Sequence, residues 1–84
     1  MLPEVVEMVK PQVEAFKKKM KAEGFGDTII DKAVERAYGY VEGVTKMLDS
    51  KNPELVKKAQ YELFPEALEH SERWVKGLAA VIGR

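Results

Sequence analysis

The sequence predicts an all-α protein, a small helical bundle, on three observations. Apolar residues recur at steps of three and four along nearly the whole chain, clusters of glycine and proline divide it into helix-length segments, and no segment alternates with the period of two that a strand requires. The bundle is expected as three long helices kinked at Pro11 and Pro65, or as four shorter ones. The 84 residues suffice for a single helical domain over 1–84. A chain of this size buries only about 60% of the surface its unfolded form exposes.

The first stripe is Leu2, Val6, Val9, Val13, Phe16 and Met20. Pro3 suits an opening helical turn, whereas Pro11 removes a hydrogen bond and crowds the carbonyl of Glu7, so a kink or a fresh start is expected there. "EGFGDT" then ends the segment, with Gly24 as a left-handed C-terminal cap, lysines opposing the negative helix end and Asp27 capping the next helix. From there Ile30, Val34, Ala37, Val41, Val44 and Leu48 repeat the spacing, flanked by Ala33, Tyr40 and Met47 on one side and Tyr38 on the other. This is a helix of about six turns.

"DSKNP" closes that helix and opens another, with Asn52 as cap and Pro53 as first helical residue. Leu55, Val56, Ala59 and Leu63 supply its apolar face, and beyond Pro65 the stripe runs through Leu68, Ser71, Val75, Leu78 and Ile82. Glu54 with Lys58, Glu69 with Arg73 and Glu72 with Lys76 are spaced for i,i+4 ion pairs on solvated faces.

Fourteen basic residues balance fourteen acidic ones, and the balance is local, at +1 over residues 1–26, −2 over 27–50 and +1 over 51–84. Strong nucleic-acid affinity requires clustered positive charge, so nucleic acid is not the favoured partner. The surplus of charged over uncharged polar residues leans toward the ion-paired surface of a thermophile protein. Without cysteine there is neither a disulfide framework nor a thiolate metal site, and with no apolar run of about 20 residues and no basic leader the expected setting is cytoplasmic, away from membranes.

Side chains suited to catalysis are few. His70 is the only histidine and stands one turn after Glu66, which reads as a surface pair, since a di-iron bundle needs a Glu-x-x-His motif on each of two helices. Ser71 points about 100° away from His70 and falls on the apolar stripe, where a small residue suits a close helix contact. No triad is present, and no cofactor, metal or enzymatic activity is expected. Lys17, Lys18, Lys19 and Lys21 are the candidate phosphate contacts, although lysines in a last helical turn also favour the helix dipole without any partner.

The most informative stretch is "AYGYVEGV", residues 37–44, which sets Gly39 and Gly43 four apart inside a helical pattern where each costs about 1 kcal/mol relative to alanine. On a helical wheel Gly39 lies opposite the apolar stripe and Gly43 about 140° from its centre, so packing of that stripe requires neither. Either the helix is continuous and another backbone approaches the glycines, or it breaks at "YGY".

The second alternative has a family counterpart. Counted from Gly24-Phe25, residues Ala33, Val34, Gly39, Val41, Glu42, Val44 and Leu48 resemble the ubiquitin-associated domain motif over about residues 16–49. The resemblance implies a Gly-Phe loop, a turn at Gly39 and a final short helix. Glu23 replaces the methionine usual in that loop and Tyr40 the asparagine usual in that turn, and the unbroken spacing from Ile30 to Leu48 favours one helix.

The function expected is therefore a non-enzymatic interaction or structural module that works by helix–helix association, first of all with itself. The expected interface is Arg36, Gly39, Tyr40, Gly43, Lys46, Met47 and Trp74, together with the apolar tail Leu78–Ile82. The alternative is a nucleic-acid-associated or regulatory protein acting through the Lys17–Lys21 cluster.

Overall fold

The computed structural model describes residues 1–82, and among these it contains four helices and no strand: α1 (Pro3–Met8), α2 (Lys10–Ala22), α3 (Asp27–Lys46) and α4 (Pro53–Ile82). α1 and α2 are two arms of one kinked rod. Val9, midway between Glu7 and Pro11, departs from helical torsions with φ −93° and ψ 0°, where the proline ring would otherwise meet the Glu7 carbonyl, yet Val9 still donates to Val5 and Val13 to Val9. Val5, Val9, Val13, Phe16 and Met20 are buried and Val6 is exposed, so the expected stripe holds from Val9 onward and is corrected from Val6 to Val5 before it.

Gly24 has φ +95° and ends α2 in a Schellman motif, in which the N–H of Phe25 donates to the Met20 carbonyl and the N–H of Gly24 to that of Lys21. Only glycine adopts this conformation without a Cβ penalty. The cap of α3 is Gly26 rather than Asp27, which becomes the first helical residue and pairs with Lys21 at 3.0 Å. At the start of α4 the Asn52 side chain accepts from the N–H groups of Glu54 and Leu55 at 3.0 and 3.4 Å, as its position before Pro53 predicts.

Pro65 does not break α4. A straight helix of 30 residues is about 45 Å long, and the longest dimension of the molecule is 47 Å. Pro65 is exposed, so the carbonyl it leaves without a helical donor, that of Tyr61, lies where water can reach it. Of the three i,i+4 pairs expected on α4, Glu72 with Lys76 is formed at 2.7 Å.

α3 and α4 form an antiparallel hairpin, and small residues along their seam, Ala33, Ala37, Ala67 and Ser71, are almost wholly buried. Phe64 fills the middle at zero exposure and stacks on Tyr38, with ring centroids 5.5 Å apart. The buried set on α3 ends at Thr45, and Leu48 lies in the turn beyond the helix, half exposed, against the expectation of a core position.

α1 and α2 lie along one side of this hairpin, held by ion pairs of Glu4 with Lys57 at 2.9 Å, Lys19 with Glu72 at 2.9 Å and Glu23 with Lys76 at 3.2 Å. A buried relay joins three segments. Gln60 Oε1 accepts from the N–H of Leu2 at 2.9 Å, Gln60 Nε2 donates to Thr45 Oγ1 at 3.3 Å, and that hydroxyl donates to the Val41 carbonyl at 2.8 Å. Removing one partner of a buried pair leaves the other unsatisfied.

Gln60→Ala is accordingly expected to lower stability by about 1–3 kcal/mol in urea unfolding, and Gln60→Glu to do so as well by placing a charge in the same site. Hydrogen bonds from Lys76 and Lys19 hold the Glu72 carboxyl below the usual glutamate range. A depressed folded-state pKa gives stability that is complete above the unfolded value of about 4.3 and is lost as pH falls through the lower folded value. Acid unfolding of Glu72→Gln should therefore show a weaker pH dependence below about pH 5 than wild type, with lower stability at neutral pH.

Candidate functional site

Of the residues singled out around the glycines, Arg36, Tyr40 and Trp74 come together along the outer edge of the hairpin in a way not legible in the sequence, whereas Lys46 lines a cavity with Met1 and Leu2 ahead of α1. The guanidinium of Arg36 lies over the Trp74 ring, 4.3 Å from its centroid, and the ring of Tyr40 stacks on His70 at 4.7 Å with an interplanar angle of 26°. One turn forward on α3 is thus one turn back on α4. These two pairs form a ladder that closes the outer edge of the seam, and each brings flat π surfaces into contact. Glu66 completes it, with its carboxylate 3.9 Å from His70 Nε2.

Arg36, Tyr40 and Trp74 are therefore engaged inside the chain as well as presented on its surface. Tyr40 and Trp74 are half-buried, whereas Arg36, Lys46 and Met47 are exposed, Met47 at 82%. α3 runs unbroken through Gly39 and Gly43, so the turn implied by the resemblance to ubiquitin-associated domains is not formed and that expectation is corrected. Both glycines are exposed, and a Cβ built on either meets no heavy atom within 4 Å. Neither contributes a close contact within the chain.

At the end of α4, Leu78 is half-buried and Val81 and Ile82 are 77% and 76% exposed, so the apolar tail runs past the helices that cover the rest of its stripe.

The lysine cluster is divided by the fold. Lys19 turns to Glu72 on α4 and Lys21 to Asp27 on α3, while Lys17, Lys18 and Lys21 line the groove between α2 and α3 beside the carboxylates of Glu14, Asp27 and Asp31. A groove of mixed sign is a poor phosphate site, because an anion entering it meets carboxylates at the distances at which it would meet lysines. Among the described residues no group of His, Cys, Asp or Glu side chains is arranged to hold a metal ion, and no helix is long and apolar enough to cross a membrane.

Compared with known protein families, curated proteins and solved structures, the chain matches none of them. The site is read from its own chemistry.

Open space at both glycines fixes the sign of their replacement. Gly39→Ala and Gly43→Ala are each expected to stabilise the isolated chain by about 1 kcal/mol, equivalent to a rise of roughly 4–8 °C in Tm for a domain of this size, measured by thermal unfolding at low protein concentration.

Proposed function

We propose that this protein is a non-enzymatic interaction module whose outer α3 face, together with the adjoining edge of α4, associates with another helical surface, in the first place that of a second copy. The observation that carries the proposal is the exposed pair Gly39 and Gly43 on a continuous helix, each with empty space where a Cβ would stand. Two exposed glycines in a helix together cost about 2 kcal/mol relative to alanine, and packing inside the chain gives nothing in return. A backbone approaching from outside would.

The surrounding chemistry suits such a contact. Met47, Tyr40 and Trp74 supply apolar and aromatic area around the glycines, and Arg36 supplies charge at its rim. Arg36 and Tyr40 are also held in place by Trp74 and His70, so little side-chain freedom remains to be lost on binding. The proposed setting is the cytoplasm, in keeping with a chain that has no cysteine.

Light scattering over a concentration series tests this with wild type and the Gly39→Leu/Gly43→Leu double variant. The leucines project into open space, so the variant is expected to remain helical. Wild type is expected to gain mass with concentration and the double variant to stay monomeric. A wild type that is monomeric at every concentration overturns the reading.

A further inference from the structure

The face left uncovered by α1 and α2 has an ordered pattern of charge along its length. On α4, Glu72 and Lys76 hold α2, and His70 and Trp74, each two residues earlier, lie about 200° around the helix from them, on the opposite side. That side carries Ala59, Glu62, Glu66, His70, Arg73 and Gly77 in sequence. Its N-terminal half is acidic and its C-terminal half basic, and Arg36 of α3, set against Trp74, adds to the basic half.

From these observations we infer that the partner is a second copy docked antiparallel on this face, α4 against α4 and α3 against α3, about a two-fold axis that crosses α4 near Leu68. The inference rests on the association reading above and specifies its geometry. About that axis Glu66 faces His70 of the other copy, Glu62 faces the Arg73–Trp74 turn, and Ala59 faces Gly77, each contact occurring twice as an isologous interface requires. Each of these two glutamates thus meets a basic side chain.

The same axis has a second consequence. Tyr38 on Phe64 and Thr45 on Gln60 place Leu68 opposite residues 34–37, and the stacked pairs of the outer edge place it opposite Glu42. The axis therefore crosses the stretch of α3 from Val34 to Glu42, which contains Gly39. A parallel two-fold arrangement would instead set Arg36 of one copy over Arg73 of the other, bringing like charges together. Charge order thus selects one of the two ways in which this face can meet itself.

The absence of cysteine gives a direct test. Ala59→Cys and Gly77→Cys are made as separate single-cysteine proteins, mixed, and oxidised, with light scattering of the unoxidised wild type run in parallel. The two positions are about 27 Å apart along α4, far beyond the reach of a disulfide within one chain, and the Cβ added at residue 77 meets nothing. The expected result is a wild-type dimer and a crosslinked product that joins residue 59 of one protein to residue 77 of the other, in several-fold excess over like-with-like products. A dimer that crosslinks 59 to 59 and 77 to 77, or one that gives no crosslink, overturns the antiparallel geometry and leaves association standing. A wild type monomeric throughout the series overturns both.

Discussion

Gln60 sets the terms on which the other elements meet. An amide at 4% exposure must have both its ends satisfied, and here the acceptor takes the N–H of Leu2 ahead of α1 while the donor reaches Thr45 near the end of α3. Apolar contacts tolerate sliding by a fraction of a turn, but hydrogen bonds of about 3 Å do not. One side chain on α4 thus fixes the axial position of two other segments. The valines and Phe64 supply the driving force for collapse, and the amide selects one register among the compact arrangements they would accept.

With that register fixed, the two sides of the α3–α4 hairpin acquire different characters. On one side α1 and α2 supply the valines, Phe16 and Met20 of the core and are tied at the rim by Glu4, Lys19 and Glu23. On the other side no helix among the described residues lies over the seam, and its edge is closed by stacked side chains, Arg36 on Trp74 and Tyr40 on His70. Stacking leaves an outward face of aromatic edges, a guanidinium and bare helix backbone. The fold thereby produces a rigid, chemically mixed surface with no side chains over the glycines, and the functional proposal follows from that combination.

Much of the fold was legible because its signals are local. The caps at Gly24 and Asn52, the kink at Pro11 and the length of α3 follow from residue types at adjacent positions, and the outward placement of Gly39 and Gly43 follows from a helical wheel. What was not legible depended on neighbours. Val5 replaces Val6 in the core because α1 packs against α4, a contact that a stripe read from one segment alone does not contain. Gln60 does not read as a core residue in a list of apolar positions. The pairing of Arg36 with Trp74 joins residues on different helices, and its register is set by contacts elsewhere. Pro65 gave the opposite lesson, since a proline on an exposed face of a long helix costs one hydrogen bond without ending the helix.

The kink at Val9 also bears on how the molecule comes apart. α1 has six residues and is too short to be helical on its own, so it persists only while Val5, Val9 and the Leu2–Gln60 bond hold it against α4. α3 and α4 adjoin in sequence and share the longest seam, which makes their hairpin the first part expected to form and the last to be lost. The protein therefore has a graded stability within one small chain. Its N-terminal arm is expected to exchange amide protons through local opening at the hinge, and the hairpin that carries the exposed face to exchange last.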